Sequence, residues 1–341
     1  MGILERLLGR RRPEAAGITE TDIRYAYRIV LKREPDPPGL AHYLQLGKQG
    51  FAFDRLVSSL FDSEEYRFQL QEQVRPVTVD LGGYRVCVQR RDRDFAETML
   101  RTSDYEPHVR RAVADLVRPG HVVVDVGANV GAIALLAASL VGPDGLVVAV
   151  EPNPDNVQML YAGLVVNGFT NVRVLPFAAS NRVQVFSLTG GISNTYVTGA
   201  RPPGEAQYAQ AVVLDDALAW LPRLDVIKLD IEGHEPAALE GSRALIERFK
   251  PAMVTEFNPR CLVDLQGQDP GAFLDRLFVW YPRIRAISAH GDDEVFDAPS
   301  ALMAYWDRRN RELTASGVLP DRLLHFDLVA VAEGGRPPAA H

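Results

Sequence analysis

The segment Asp225-Val226-Ile227-Lys228-Leu229-Asp230-Ile231-Glu232-Gly233-His234-Glu235 brings acids, an amine and an imidazole together inside an apolar strand pattern. Strand alternation sends Lys228, Asp230 and Glu232 to one side and Ile227, Leu229 and Ile231 to the other. A buried parallel strand is ordinarily apolar on both faces, so these charges require partners or a ligand. The chemistry within their reach is removal of a proton from a hydroxyl. His234 is the first candidate base, because an imidazole near a helix N-terminus stays neutral at physiological pH, and Asp230 is the second. In another arrangement Asp230 and Glu232, with Glu256 at the end of the next strand, hold a divalent cation that lowers the pKa of the hydroxyl. The same residues also have structural readings. Lys228 could be catalytic or simply lock Asp230, and His234 and Glu235 could cap the helix that follows.

A second constellation lies upstream, where the apolar run Val122-Val123-Val124 leads into Asp125-Val126-Gly127-Ala128-Asn129-Val130-Gly131. A further apolar run, Leu146 to Val150, ends in Glu151-Pro152-Asn153. A strand, a glycine turn, an apolar helix and a strand ending in an acid form the opening of a Rossmann-type nucleotide site. Gly127 permits a sharp turn, Asn129 tolerates positive φ, and Gly131 lets the helix approach the sheet. Free amides at the start of that helix are expected to hold an anion, and Glu151 can accept bonds from both ribose hydroxyls. The middle and last glycines of a dinucleotide fingerprint are missing, and no Lys-Ser or Lys-Thr of a phosphate loop follows. S-adenosylmethionine, with a carboxylate in place of a pyrophosphate, tolerates these departures.

Of the 341 residues, Met1 to Gly17 form a basic tail and residues 18–73 a small helical unit. Thr19 and Asp22 form a capping box, and Asp36-Pro37-Pro38 breaks one helix and starts another. Helices are also expected at Phe53 to Phe61 and from Glu64. A hairpin is expected over Val77 to Val88, around Gly82-Gly83, and a helix over Phe95 to Val117, where Glu106 and His108 could close the pocket. Further elements are a helix from Asn153 to Asn167, a strand over Val172 to Phe177, and an insertion of extra strands near the site over Arg182 to Val213, with the loop Arg201-Pro202-Pro203-Gly204. A strand over Val226 to Ile231, a helix over Pro236 to Phe249 and a strand over Ala252 to Phe257 complete the alternation. It implies an α/β fold with a doubly wound, mostly parallel sheet over residues 74–332, and residues 333–341 are a tail.

Hydrophobic residues make up 47% of the chain, enough for substantial cores, and the formal net charge of −7 argues against a nucleic-acid partner. Cys87 and Cys261 offer neither a disulfide framework nor zinc spacing, and no apolar run reaches the length of a membrane helix, so a cytoplasmic location is expected. Only four of the 37 basic residues are lysines, which singles out Lys228.

Five motifs in order, Tyr105-Glu106-Pro107, Val124 to Gly131, Glu151-Pro152-Asn153-Pro154, Leu214-Asp215-Asp216 and Ile227 to Glu235, resemble the FkbM family of S-adenosylmethionine-dependent methyltransferases over about residues 77–331. The resemblance implies a Rossmann-like class I methyltransferase fold and O-methylation of small molecules or glycans. It marks Asp125, Gly127, Asn129, Gly131 and Glu151 as cofactor residues and Asp230, Glu232 and His234 as acceptor-side candidates; Ala128, Pro152 and Asn153 join the expected cofactor set as their neighbours, and Lys228 joins the catalytic set. The helical unit, through Tyr27 to Leu40 and Ser63-Glu64-Glu65-Tyr66, resembles a bacterial domain of uncharacterised function related to phycobilisome linkers. That resemblance implies a protein partner, although Lys32 replaces the glycine usual in its turn. The leading expectation is an O-methyltransferase acting on a sugar hydroxyl. The alternative is an interaction scaffold that binds the cofactor without turnover.

Overall fold

The computed structural model describes residues 17–31, 33–69, 76–92, 95–191, 195–199, 207–319 and 324–332. The basic tail, Lys32, the Arg201–Gly204 loop, the boundary at residue 73 and the C-terminal tail lie outside the described residues, apart from Gly17.

Four helices, Glu20–Leu31, Pro37–Lys48, Phe53–Phe61 and Glu64–Gln69, come first. The expected capping box closes in both directions: the Thr19 amide donates to Asp22 Oδ2 at 2.8 Å and the Asp22 amide to Thr19 Oγ1 at 3.4 Å. Asp36 caps the second helix by accepting from the Gly39 amide at 2.7 Å, with Pro37 and Pro38 opening it. The unit leans on the helix Pro154–Asn167. Gln158 Nε2 donates to the Val30 carbonyl at 2.8 Å, and Phe53 meets Tyr161 edge-on with centroids 6.5 Å apart. Its buried side chains, among them Ile23, Val30, Leu56 and Leu60, join the same apolar core as Leu135 and Leu160 of the larger unit. Burial of that shared face is what stabilises such short helices.

The hairpin is present as β1 (Pro76–Asp80) and β2 (Arg85–Gln89), paired antiparallel. The chain then forms β3 (Val122–Val126), β4 (Leu146–Val150) and β5 (Val172–Leu175). A side sheet of β6 (Ala178–Ala179), β7 (Gln184–Gly190), β8 (Thr195–Thr198) and β9 (Gln207–Val212) follows. The last strands are β10 (Val226–Leu229), β11 (Ala252–Phe257), β12 (Ile284–Ile287), β13 (Asp293–Phe296) and β14 (Phe326–Ala330). The main sheet has the order β13-β12-β14-β11-β10-β3-β4-β5. Neighbours from β11 through β10, β3 and β4 to β5 are parallel, and β14 is antiparallel to both β11 and β12.

Alternation divides the strands between two cores. Val123, Val147, Val226 and Val254 face the helices Ala132–Val141 and Pro154–Asn167, whereas Val124, Val148, Ile227 and Met253 face a second core with Phe273 and Leu277. Both faces of the sheet are covered, which is the α/β, Rossmann-like, doubly wound architecture expected from the sequence, preceded by an all-α unit. Sheet reversal lies between β3 and β10, so their carboxyl ends open a crevice.

Several element boundaries depart from the sequence expectation. Phe95 to Val117 is two helices, Phe95–Thr102 and Pro107–Leu116, because Ser103 and Glu106 take left-handed backbone and Pro107 starts a new helix. Pro236 to Phe249 divides into Glu235–Glu240 and Arg243–Phe249. The strand β10 ends at Leu229, two residues early, since Glu232 and Gly233 both have positive φ and turn the chain. Likewise β5 stops at Leu175.

Candidate functional site

A cavity of ≈ 290 Å³ opens at the carboxyl edge of β3, β4 and β10. Its floor on one side is Val126, Gly127, Asn129, Val150, Glu151 and Pro152. Opposite stand Glu106, Asp230, Glu232, His234, Glu256 and Asp327. Of the non-glycine residues with left-handed backbone, Glu106, Asn129 and Glu232 line this cavity. Such strain persists where surrounding structure enforces it, and it concentrates at functional sites.

The glycine loop is built as its residue types imply. Gly127 (φ +79), Asn129 (φ +51) and Gly131 (φ +93) all take positive φ. Its amides, however, are not free for an anion. Gly127 and Ala128 donate to the Val150 carbonyl, and Gly131 donates to the Ala128 carbonyl. Asn129 donates to Glu151 Oε2 at 2.8 Å, and Val130 to Asn129 Oδ1 at 2.8 Å. Internal bonds consume the donors of this loop, which leaves no amide cradle within it for a pyrophosphate; the amides expected to hold an anion belong to the start of the next helix, Ala132–Val141.

Glu151 is 4% exposed and lines the cavity. Its Oε1 accepts from the Asn153 amide at 2.8 Å and from Asn156 Nδ2 at 3.3 Å. Burial nevertheless pushes its pKa up to about 7, against the pull of those donors. Oε2 has one donor and a second lone pair still available. A ligand hydroxyl at that position would stabilise the ionised form, so the residue suits a ribose. Asn153 caps the helix that follows through its side chain, which accepts from the Asp155 amide at 2.9 Å.

Four expected cofactor residues, Gly127, Asn129, Glu151 and Pro152, line the cavity, whereas Asp125, Ala128, Gly131 and Asn153 stand behind it. Asp125 is fully buried, and among the described residues neither of its oxygens has a hydrogen bond of normal length, although the Ala134 amide and Lys228 both favour its charge. It lies in register with Lys228 of β10, whose Nζ stands 3.6 Å from Asp125 Oδ1. Burial pushes the pKa of Asp125 up to about 6, even with the ammonium beside it.

Across the sheet from Asp125, Lys228 is also behind the cavity wall. Its Nζ lies 3.1 Å from Asp230 Oδ2 and donates to the Gly127 carbonyl at 3.2 Å. Burial works against its charge, but Asp230, Asp125 and Glu106 outweigh that effect and raise its pKa. Of the two readings of Lys228, the geometry matches the lock.

His234 does line the cavity, but both ring nitrogens have protein partners, Ser180 Oγ at 3.1 Å and Gln266 Oε1 at 3.2 Å. Burial lowers its pKa, in keeping with a neutral ring. The expected capping of the following helix is not made: His234 stands at its N-cap with no side-chain cap bond, and Glu235 Oε1 instead accepts from the Ile231 amide at 2.7 Å and the Gly233 amide at 3.3 Å in the turn before the helix.

Charges on the wall opposite Glu151 crowd one another. Burial, then Asp230 and Asp327, pushes the pKa of Glu106 up to about 8. Glu235 rises to about 8, chiefly through burial, and Glu256 is raised well above the ordinary carboxylate range by burial and by Asp230. Glu232 is raised too, and its Oε2 accepts from the Cys261 thiol at 3.5 Å. The expected metal set of Asp230, Glu232 and Glu256 is changed accordingly. Among the described residues the carboxylates that converge are Asp230, Glu235 and Glu256, because the turn at Glu232 directs its carboxylate toward Cys261.

Sequence reasoning did not single out Asp327, His325, Asn156, Phe177 or Tyr196, which also line the cavity. Asp327 lies opposite Glu256 in register, and its Oδ2 is 2.9 Å from His108 Nε2. An acid inside the apolar strand Phe326–Ala330 was a readable signal of the same kind as Lys228. Thr195, Tyr196 and Val197 of β8 form one wall, so the insertion reaches the site as expected. Among the described residues, no helix is long and apolar enough to cross a membrane.

Residues 125–269 match the family model described as the Methyltransferase FkbM domain. The match does not extend to the N-terminal helices, and none of the curated proteins matches the chain. Among solved structures, the chain is similar to a precorrin-6y C5,15-methyltransferase from Geobacter metallireducens, at 14% identity and a TM-score of 0.36 over 67% of this chain and 92% of that one. It is similar to a methyltransferase FkbM from Methylobacillus flagellatus at 16% identity and a TM-score of 0.37, covering 80% of this chain and 57% of the other. A SAM-dependent O-methyltransferase from Thermotoga maritima shows 14% identity and a TM-score of 0.35, with 71% and 72% covered.

Proposed function

We propose that this protein transfers a methyl group from S-adenosylmethionine to a hydroxyl of a sugar, glycan or glycosylated small molecule. The observation that carries the reading is a single cavity with two chemically distinct walls: Glu151 beside the glycine loop, and a carboxylate cluster facing it. The family match over residues 125–269 supports methyl transfer. The choice of a hydroxyl rests on the acid-rich wall, since a polyol can donate several hydrogen bonds to carboxylates. A cytoplasmic location and a protein partner for the N-terminal helices belong to the same proposal.

Glu151 would hold the ribose, and Val150, Pro152 and Phe177 supply apolar surface for the base. When bound, the donor supplies an activated methyl: the O–C bond forms as the C–S bond breaks, and the sulfur leaves as a neutral thioether. What the chain itself must do is align the acceptor oxygen and take its proton. Glu106 is our choice for that proton. It lines the cavity, sits on strained backbone, and with a pKa of about 8 is matched to exchange near neutrality.

The test couples donor binding to turnover. Calorimetry with S-adenosylmethionine and S-adenosylhomocysteine is expected to show one site per chain, weakened about 10–100-fold in Glu151→Ala. Between pH 6 and 8 donor affinity should rise by up to about tenfold, because Glu151, with its pKa of about 7, becomes a full acceptor only when it loses its proton. In Glu151→Gln that dependence should flatten. Labelled methyl transfer to glycan and metabolite extracts should fall at least about 100-fold in Glu106→Gln with donor binding intact. Tight donor binding with no transfer to any extract would favour the scaffold, and no donor binding at all would sink both readings.

A further inference from the structure

We propose that Asp230, Glu235 and Glu256 form a binding site for a hard divalent cation of the magnesium, manganese or calcium class. Each side chain contributes one carboxylate oxygen, and these oxygens lie within 4.8 Å of one another. Calcium bonds of roughly 2.3–2.6 Å place opposed ligands roughly 4.6–5.2 Å apart, and magnesium bonds of roughly 2.0–2.1 Å place them about 4.0–4.2 Å apart. The three oxygens thus already span the distance that one ion bridges, and only small rotations separate the two cases.

An independent observation also points to a ligand. Glu256 is 9% exposed, lines the cavity, and its Oε2 is buried with no hydrogen-bond partner among the described residues. Its Oε1 accepts from Asn258 Nδ2 at 3.3 Å. A carboxylate oxygen left in this state forfeits its hydration without replacement, and a cation would restore it. Both companions are fixed by one part of the carboxylate. Glu235 is held through Oε1 by the Ile231 and Gly233 amides, and Asp230 through Oδ2 by Lys228, which leaves an oxygen of each for a ligand.

The donor set selects the class of ion. It is all oxygen, the nitrogens of His234 are committed to Ser180 and Gln266, and the Cys261 thiol donates to Glu232. Hard oxygen donors suit magnesium, manganese and calcium and disfavour zinc or copper. Glu106, Glu232 and Asp327 are further carboxyl groups lining the same cavity, and the buried Lys228 ammonium stands 3.1 Å from Asp230. The inference rests on the methyl-transfer reading only for what the ion does, which is to lower the pKa of an acceptor hydroxyl that reaches it. Ion binding itself requires neither donor nor acceptor.

Manganese is the probe, followed by electron paramagnetic resonance on the full chain with no donor added. The expected result is one bound Mn²⁺ per chain, displaced by excess Mg²⁺ or Ca²⁺, with affinity reduced at least about tenfold in Glu256→Gln and in Glu235→Gln. Glu247→Gln, on an exposed helix face, should bind as the parent does. Calorimetry with S-adenosylhomocysteine on the same samples reports whether each variant keeps its donor site. Absence of a stoichiometric Mn²⁺ signal in the parent protein overturns the proposal, as does equal Mn²⁺ affinity in Glu256→Gln and Glu235→Gln. Neither result touches the methyl-transfer reading, which falls on loss of donor binding in the parent.

Discussion

Gly127→Ala is expected to destabilise the protein by at least about 3 kcal/mol and to abolish donor binding. Left-handed backbone costs an L-residue roughly 1–2 kcal/mol, and Gly127 has φ +79. The added methyl meets a harder obstacle, because an ideal Cβ at this position would stand 1.8 Å from the Asp230 carbonyl oxygen. That oxygen is backbone at the end of β10, so relief requires the two strand ends to part. Parting them moves the Gly127 carbonyl away from Lys228 and carries Asp230 with it, so one methyl disturbs both walls of the cavity. Gly168→Ala is the matched control. It too has left-handed backbone (φ +70, ψ +24), but its Cβ would find nothing within 4 Å, so only the conformational cost of about 1 kcal/mol remains. Chemical denaturation of the two variants should separate them by roughly 2 kcal/mol or more. Equal losses would show that the β3 and β10 ends are not in contact as described.

This closeness explains which parts of the site were legible in the sequence. Local chemistry was readable: the positive φ of Asn129, the Asn153 cap and the Thr19–Asp22 box follow from residue type and spacing alone. The sheet was readable because Val-rich runs alternate with helical periodicity, and the hydrophobic division between two faces leaves little freedom in register. What could not be read was the direction of side chains after the strands end. Glu232 leaves the alternation that begins at Lys228, since left-handed backbone at Glu232 and Gly233 redirects it, and Glu235 enters the acid cluster in its place. Asp327 arrives from the far end of the chain on an antiparallel strand, and only pairing with β11 brings it beside Glu256. The amides of the glycine loop offer the clearest case. Their availability depended on Val150, Ala128 and Glu151 as acceptors, and pattern in the sequence does not specify such long-range pairings.

Lys228→Met should expose the division of labour at the end of β10. If Lys228 were only a catalytic cation, its loss would lower turnover and leave stability unchanged. The geometry gives it a structural role, since one ammonium faces Asp125 at 3.6 Å and Asp230 at 3.1 Å and donates to the Gly127 carbonyl at 3.2 Å. Removing it leaves Asp125 fully buried with no countercharge, a change that typically costs about 3–5 kcal/mol. The loss has a pH signature. With Lys228 present the pKa of Asp125 is about 6, above its unfolded value, so the protonated form is favoured by folding and stability declines as pH rises through that value. Without the ammonium the folded pKa moves higher still, and the decline must extend toward neutral and alkaline pH. Lys228→Met should therefore melt roughly 5–10 °C below the parent at pH 8 and recover part of the gap at pH 5.5. Asp125→Asn placed in the same variant removes the acid that titrates, so the double variant should lose less than the sum of the singles, with a coupling of about 1 kcal/mol or more. Strict additivity would mean that Asp125 and Lys228 do not act as a pair, and the assignment of Lys228 as the lock between the glycine loop and Asp230 would fail with it.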